Sequence, residues 1–313
     1  MDADGLDVFF SPFNVLSRSS SKVRLCYIHD IIPILPLIPK YITAGWKVLR
    51  LISPELFYYL RETIYALRHA DIIFTPSSHV KEDLLSLSRI FFIRRAAETI
   101  HVNYQIIDNA FFSPPDAPGE IENTRFWDTK SKNIALGEKY IVSAGGRGFR
   151  KNNITLLRAY DALPREIKKN LHLVLLYDIG QKNEFVRICS RNIGFIHVLG
   201  NVEDNEYRAV IRGSYMLVFP SVYEGFGLPP AEAMALGIPV IVSGTSSLPE
   251  VVGEAGIKVK TFDRRMLTQK IEELYYNSTL YRELSVKGAA AAARFRAESH
   301  VMKLDAGIKH TIS

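Results

Sequence analysis

Two glutamates, Glu224 and Glu232, stand on either side of a glycine-bearing loop, with seven residues between them. Gly225 and Gly227 in that loop allow backbone amides to approach a ligand closely. The proline pair at 229–230 predicts the start of a helix, and the free amides there favour a bound phosphate. Glu232 is predicted in the first turn of this helix, where its carboxylate can accept two hydrogen bonds from a vicinal diol such as a ribose.

Glu224 is predicted to lie on the loop itself, within reach of a sugar hydroxyl. The alternative is that both glutamates only cap and solvate the end of a helix, where negative charge is favoured. The arrangement around Gly-Phe-Gly-Leu-Pro favours a binding role, because it combines acceptors for sugar hydroxyls with amides for a phosphate.

The elements that must position these residues are short apolar runs that alternate with amphipathic stretches. This alternation is typical of an α/β fold with parallel strands. Ligands of such sheets bind at the carboxyl ends of the strands. The predicted strands cover residues 8–10, 25–28, 72–74, 100–102, 140–144, 173–177, 196–199, 216–219 and 239–242.

Helices are predicted between these strands. Ser77 or Ser78 is expected to be the N-cap of one helix, because a serine side chain there can accept from a free backbone amide. The others are expected from about Asn153, at 204–212, at 230–235 and from Met266 onward.

The composition changes between residues 113 and 137, where prolines and a glycine stand among polar residues. We predict a linker here. It separates an N-terminal domain (1–112) from a C-terminal Rossmann-like domain with C-terminal helices (138–313).

The net charge of +6 over 313 residues fits a partner that carries phosphates, such as a sugar nucleotide or an anionic membrane surface. No dense basic run or nucleic-acid motif is visible, so we expect no nucleic acid partner. The start of the sequence lacks the basic character of a secretory leader, and no window of about 18 apolar residues predicts a membrane span. Cys26 and Cys189 have no metal-ligand spacing, so a cytoplasmic protein with reduced thiols and no metal site is expected.

The segment from Phe219 to Met234 resembles the Glu-x7-Glu signature of GT-B glycosyltransferases, specifically the retaining family four. The resemblance continues through residues 235–241, 246–252 and 255–256 and covers most of 138–300. It implies two Rossmann-like domains with a cleft between them. It also implies no cofactor and no catalytic divalent metal.

By this resemblance, Glu232 would bind the ribose of the donor, and Glu224 would contact the transferred sugar. The loop residues near the phosphates or the sugar would be Gly225, Phe226, Gly227 and Leu228. A second phosphate element begins at Gly145 and Gly146. Lys151 matches the family lysine, and its charge would neutralise the departing diphosphate; the alternative is a solvated surface lysine. Arg147 stands one place later than the usual family arginine, which leaves its role open.

His29 matches a family histidine that lies beside the donor sugar and can hydrogen-bond the sugar or the incoming hydroxyl. The alternative is a structural histidine. His29 and Glu224 are the predicted catalytic residues, with Glu224 assigned to binding and positioning. The histidine arrives early in the chain, which predicts an incomplete N-terminal domain. Truncation, a separate chain that supplies the missing part, and a donor-binding relic all explain this.

The predicted reaction transfers a hexosyl unit from a nucleoside-diphosphate sugar to a hydroxyl acceptor with retention. The motif at 29–33 resembles the branch that builds surface polysaccharides, often with mannose donors, so the acceptor is expected to be a saccharide or lipid-linked. A patch for peripheral contact with the inner membrane face is one interpretation of the segment around residues 46–58; an ordinary core helix is the other. A sugar-nucleotide epimerase and a non-catalytic nucleotide-sugar-binding fragment are the rival functions.

Overall fold

The computed structural model describes residues 8–16, 21, 23–38, 54–113, 139–146, 148–180 and 183–298. Contacts group them into two compact units. The first contains the described residues up to Ile106 together with Glu224–Phe226, and the second contains Ile107–Tyr223 and Gly227–Ala297. All of the predicted linker except Ser113 lies outside the described residues, so the predicted division into domains stays a prediction.

The first unit is built on a parallel sheet in which four strands follow one another in chain order. Its strands are β1 (Val8–Ser11), β2 (Val23–Tyr27), β3 (Ile72–Thr75) and β4 (Ile100–Val102), as the sequence predicts. Among the described residues of this unit, helices α1 (Pro54–His69) and α2 (Ser78–Ile90) accompany the strands.

Helix α2 begins where the serine pair predicts it. Ser77 is the N-cap, in extended conformation, and its hydroxyl accepts a hydrogen bond from the amide of Val80 at 3.2 Å. The cap satisfies one of the amides that a helix start leaves without an intrahelical partner.

The second unit is built on a six-stranded sheet whose pairs are all parallel. Its strands are β5 (Lys139–Ala144), β6 (Leu171–Leu176), β7 (Ile196–Val198), β8 (Met216–Phe219), β9 (Val240–Ser243) and β10 (Ile257–Val259). Its helices are α3 (Asn153–Asp161), α4 (Arg165–Asn170), α5 (Asn183–Arg191), α6 (Asp204–Gly213), α7 (Leu228–Ala235), α8 (Leu248–Val252), α9 (Arg264–Tyr276) and α10 (Ser278–Ala292).

Strands β6, β8 and β9 are buried along their whole length, as expected of strands covered on both faces. Helix α3 packs Leu156, Leu157 and Tyr160 into the core on this sheet. The α/β class and the predicted strands of this half are confirmed. Strand β10 was missed, because its three residues are only partly apolar and two of them are half-buried.

The strand order is β10-β9-β8-β5-β6-β7, so the first strand of the unit, β5, lies beside its fourth, β8. Ile141 pairs with Met216 and Val142 with Leu217. The direction of winding reverses at this pair. Doubly wound sheets bind ligands outside the carboxyl ends of the strands at such a reversal. Both predicted phosphate elements follow these two strands.

Candidate functional site

The turn after β5 takes its shape from an asparagine side chain. Asn153 is the first residue of α3 and is buried. Its amide nitrogen donates to the carbonyl of Gly146 at 2.7 Å, and its oxygen accepts from the hydroxyl of Ser143 at 3.3 Å. The side chain therefore ties the end of the strand, the predicted phosphate turn and the helix start together.

Lys151 lies on the short 3-10 turn Phe149–Lys151 that follows the glycines. Its ammonium group is 5.1 Å from the centre of the Phe219 ring, at the end of β8. A Cβ atom at Gly145 would lie 3.4 Å from the Lys151 side chain. The structure thus places Lys151 beside both the Gly145–Gly146 turn and the end of β8, and the lysine is half-buried rather than fully solvated. Arg147 lies outside the described residues.

The loops after β5 and β8 are joined by hydrogen bonds. Arg150 donates from its guanidinium to the carbonyl of Tyr223 at 2.9 Å, and its own carbonyl accepts from the amide of Val222 at 2.7 Å. Asn152, which is buried and left-handed at φ 51°, donates to the carbonyl of Pro220 at 3.0 Å. The turn that carries Lys151 therefore fixes the backbone of the first four residues of the loop after β8.

Hydroxyl groups from the last residue of β9 and from the segment after it support the same loop. Ser243 donates to the carbonyl of Ser221, and Thr245 donates to the carbonyl of Val222 at 3.0 Å. Each of these hydroxyls donates a hydrogen bond to a loop carbonyl that lies outside the sheet and so needs another donor. The second unit thus holds residues 220–223 from two directions.

Helix α7 begins at Leu228, two residues before its predicted start at Pro230. Gly227 is the N-cap with a φ of 111°, and a Cβ atom there would lie 2.6 Å from the Leu248 side chain. Prolines are tolerated at the second and third helical positions, where the amide has no intrahelical partner. Because prolines have no N–H, Leu228 is the only one of the first three helical residues that offers an amide to a phosphate.

The earlier start corrects the predicted position of Glu232. The prediction put Glu232 in the first turn of the helix, but it is the fifth residue of α7, and the first turn carries no acidic residue. Its carboxylate is therefore held by side-chain contact rather than by the helix-start amides. The hydroxyl of Tyr207, on α6, donates to Glu232 Oε2 at 2.8 Å.

The environment of Glu232 raises the pKa of its carboxyl group. Burial is the largest cause, and the charges of Asp204 and Asp108 add to it, while the hydrogen bond from Tyr207 acts in the opposite direction. Burial also raises the pKa of the Tyr207 hydroxyl, with further contributions from the charge and the hydrogen bond of Glu232. The Tyr207 hydroxyl therefore keeps its proton, and stays a donor to Glu232, at neutral pH. A half-buried carboxylate oriented in this way suits the recognition of vicinal hydroxyls.

The other predicted site residues, Glu224, Gly225, Phe226 and His29, belong to the first unit. Glu224 is 9% exposed, and Phe226 is buried with its ring 6.1 Å from that of Tyr104. The carbonyl of Gly225 accepts from the hydroxyl of Ser77 at 2.7 Å. A Cβ atom at Gly225 would overlap the carbonyl oxygen of His29, so only glycine fits this backbone.

His29 follows β2, as predicted, but both of its ring nitrogens have partners. Nε2 lies 2.8 Å from the carbonyl oxygen of Pro12, and Nδ1 lies 3.2 Å from the side-chain nitrogen of Gln105. The carbonyl can only accept, so Nε2 carries the proton and Nδ1 accepts from Gln105. The backbone amide of His29 donates to Asn14 at 2.7 Å. These contacts favour the structural interpretation, and the predicted catalytic role stays a prediction.

The proposed membrane patch is only partly described. Phe57 and Tyr58 on α1 are 60% and 45% exposed, whereas Trp46, Lys47, Leu49 and Arg50 lie outside the described residues. Within the described ranges, none of the helices has the length and apolar character to cross a bilayer. The same part of the chain contains no group of three or more His, Cys, Asp or Glu side chains placed to hold a metal ion.

The second unit therefore places Lys151 beside the Gly145–Gly146 turn and the end of β8, and it holds the Glu232 side chain on α7 through the hydrogen bond from Tyr207. Sequence reasoning missed the supporting side chains Arg150, Asn153 and Tyr207. Their partners lie up to 73 residues away in the chain, and no local pattern reports such pairings.

Comparison with known proteins places these features in a family. The model of glycosyl transferases group 1 matches residues 125–290 of this chain, which include both loops and Glu232. The serotype-specific mannosyltransferase WbdA of Escherichia coli is 27% identical over 277 residues, which cover 87% of this chain and 31% of WbdA. The O-antigen chain mannosyltransferase B of Escherichia coli is 34% identical over 163 residues, 51% of this chain and 43% of that protein.

The chain thus spans less than half the length of these two curated relatives. The fold is similar to that of HepE from Anabaena, whose crystal structure contains UDP-glucose. The two superpose with a TM-score of 0.66 at 18% identity, over 91% of this chain and 78% of the other.

Proposed function

Because the chain belongs to the glycosyl transferases group 1, we propose that it transfers a hexosyl unit, specifically mannosyl, from a nucleoside-diphosphate sugar. The acceptor would be a hydroxyl of a saccharide or of a lipid-linked saccharide in the synthesis of surface polysaccharide. The mannosyl donor is supported by WbdA and mannosyltransferase B, both similar in sequence to this chain and named for mannosyl transfer.

One observation carries the proposal: two loops that suit phosphate follow adjacent strands at the point where the sheet reverses its winding. The turn after β5 presents Gly146 and Lys151, and the loop after β8 leads to Leu228 at the start of α7. A diphosphate bound there would leave its nucleoside within reach of the carboxylate of Glu232. The resulting chemistry is recognition of a nucleoside diphosphate, which HepE also binds as UDP-glucose.

The side chains of this chain have separate tasks in the proposed transfer. Lys151 neutralises charge that develops on the departing diphosphate, which is the change that a preorganised cation stabilises most. Glu232 fixes the ribose and so the position of the phosphates. Glu224 contacts the transferred sugar. The diphosphate is a good leaving group that itself accepts the acceptor proton, so retention of the anomeric configuration needs no acid/base pair of carboxylates.

Donor binding provides the first test. We expect GDP-mannose or a UDP-hexose to bind the full chain, measured by calorimetry against a panel of sugar nucleotides. Replacement Glu232→Ala removes hydrogen bonds to a charged acceptor and should weaken binding by about 10- to 100-fold. Glu283→Ala is the matched control, because Glu283 pairs with Lys287 on the exposed face of α10. Equal affinity of the Glu232→Ala and wild-type chains would contradict the proposal.

Transfer is tested separately from binding. Incubation with GDP-mannose and an α-linked mannotriose should give a tetrasaccharide with an α linkage, detected by mass spectrometry and NMR. A β linkage would contradict retention. Binding without any product would favour a chain that needs further protein for transfer, and epimerised donor in the absence of acceptor would favour the epimerase.

A further inference from the structure

Glu232 and Tyr207 form a hydrogen-bonded pair that joins two helices. Glu232 lies on α7 at the candidate ribose position, and Tyr207 lies on α6, with 2.8 Å between the phenol oxygen and Oε2. We propose that Tyr207 is a positioning residue for donor binding: its hydroxyl occupies one face of the carboxylate and aims the remaining oxygen at the ribose hydroxyls. This inference rests on the proposed function.

Hydrogen-bond geometry allows one carboxylate to bind both the Tyr207 hydroxyl and a ribose diol. An ionised carboxylate has two oxygens and about four acceptor positions, and a free glutamate side chain can rotate between several rotamers. A donor fixed at Oε2 restricts that rotation and leaves Oε1 and the second position of Oε2 for a diol. The ordering of the side chain is then complete before the nucleotide arrives, and a preorganised site binds more tightly.

Tyr207 can serve this purpose because its own position is determined by the start of α6. Glu203 and Glu206 form a reciprocal capping box there, and the amide of Tyr207 donates to the carbonyl of Glu203 at 2.8 Å. The ring of Tyr207 meets that of Phe111 edge to face, with 6.4 Å between the centroids. Phenylalanine in place of Tyr207 would keep these packing contacts and lose only the hydroxyl.

The charges around the pair act against ionisation of Glu232, and the hydrogen bond from Tyr207 acts in its favour. Asp204 lies on α6 and Asp108 caps the 3-10 turn 109–111, and both carboxylates disfavour ionisation of Glu232, as burial does. Tyr207 offsets these effects without adding a positive charge, so the carboxylate stays available as an acceptor. Loss of the hydroxyl would leave Glu232 with a higher pKa.

The decisive comparison is Tyr207→Phe against Tyr140→Phe. The hydroxyl of Tyr140 donates to the carbonyl of Val210 at 2.8 Å, so this control also loses a buried tyrosine hydrogen bond to helix α6. The carboxylate of Glu232 keeps its partner in the control. We expect Tyr207→Phe to weaken the binding of GDP or UDP by about tenfold, which corresponds to about 1.4 kcal/mol, and Tyr140→Phe to leave it unchanged.

Two further measurements separate positioning from a general structural effect. The loss caused by Tyr207→Phe should shrink with 2′-deoxy-GDP or 2′-deoxy-UDP, because a ribose hydroxyl is then absent. The pH below which nucleotide affinity falls should move upward in Tyr207→Phe, because its Glu232 becomes protonated at higher pH. A loss of equal size for ribo- and deoxynucleotides, or no loss at all, would overturn the proposal.

Glu232→Ala distinguishes this proposal from the proposed function. If Glu232→Ala weakens nucleotide binding and Tyr207→Phe does not, the role of Tyr207 is wrong and the function stands. If neither variant changes binding, the assignment of the ribose to Glu232 fails as well. A Tyr140→Phe variant that loses as much affinity as Tyr207→Phe would show that α6 acts only as a scaffold.

Discussion

The loops after β5 and β8 carry residues of one predicted site, yet they are held in shape by opposite means. The turn after β5 is fixed by side-chain amides, those of Asn152 and Asn153, which bond to backbone carbonyls. The later part of the loop after β8 packs so closely on its neighbours that Gly225 and Gly227 leave no room for a side chain.

The contrast extends to what each loop tolerates. A Cβ atom at Gly146 or Gly148 would find no heavy atom within 4 Å, so these glycines are not demanded by packing. At Gly225 the obstacle is backbone, which cannot rotate away as a side chain can. Glycine at 146 and 148 is therefore compatible with a need for ligand access, whereas glycine at 225 is required by the fold itself.

The largest effect is expected from Gly225→Ala. The new methyl group would overlap the carbonyl oxygen of His29 and lie 3.1 Å from the Asp30 side chain, so the backbone must shift. Overpacking of this kind lowers the free energy of unfolding by about 1–3 kcal/mol. Chemical denaturation of the variant would measure it. Gly148→Ala is the matched control, with a φ of −61° that alanine adopts readily, and should leave stability unchanged or slightly higher. Equal stability of the two variants would remove the contrast between the loops.

The next largest effect is expected from Asn153→Ala in the first loop. The change removes the amide nitrogen that donates to the Gly146 carbonyl and the amide oxygen that accepts from the Ser143 hydroxyl. The turn then loses its fixed shape. Because a hydrogen bond is worth about 0.5–1.5 kcal/mol, affinity for GDP or UDP should fall by about 3- to 10-fold. Asn170→Ala removes an exposed asparagine bond to Glu166 and should leave nucleotide affinity as it is. If Asn153→Ala binds nucleotide as the wild type does, the side-chain amide does not shape the phosphate turn.

Except for β10, the sequence predicted the strands of both sheets, because most of them are short apolar runs bounded by polar or turn residues. Met216–Phe219 is such a run and is buried throughout. Ser77 was one of the two serines predicted to cap α2, since the capping preference is local. The start of α7 was placed two residues late, because proline was taken to mark its first residue rather than its second and third.

The contacts that orient the site could not be predicted in the same way. Tyr207 and Glu232 are 25 residues apart, and Arg150 and Tyr223 are 73 apart. Such pairs depend on how helices and loops pack on the sheet. The partners of His29 could not be predicted for the same reason, since Pro12 and Gln105 are distant from it in the sequence. Residue type and spacing thus identified the loops, and the packing determined which side chains hold them.

The smallest effect, and one of opposite sign, is expected from Glu232→Gln. Gly225 and Asn153 maintain the fold, so their replacement should lower stability or order. Glu232 is proposed to bind the donor ribose, and burial, Asp204 and Asp108 raise the pKa of its carboxyl group in the folded chain. An ionised carboxylate with a raised pKa destabilises the folded state at neutral pH. A neutral glutamine should therefore raise the melting temperature slightly while it weakens nucleotide binding, the usual trade between function and stability.

The pH dependence of that gain has a defined direction. The folded pKa of Glu232 lies above the unfolded value of about 4.3, so the penalty is present above the folded pKa and disappears as the pH falls toward the unfolded value. The difference in melting temperature between Glu232→Gln and wild type should be largest near pH 8 and shrink toward pH 4.

Glu184→Gln is the control with the opposite sign, because Arg158 lowers the pKa of Glu184. Glu184 is exposed, so its small contribution should be present above the unfolded value and be lost in acid. If Glu232→Gln is less stable than wild type at neutral pH, the carboxylate maintains the fold as Gly225 and Asn153 do, and its proposed role as a ligand group fails.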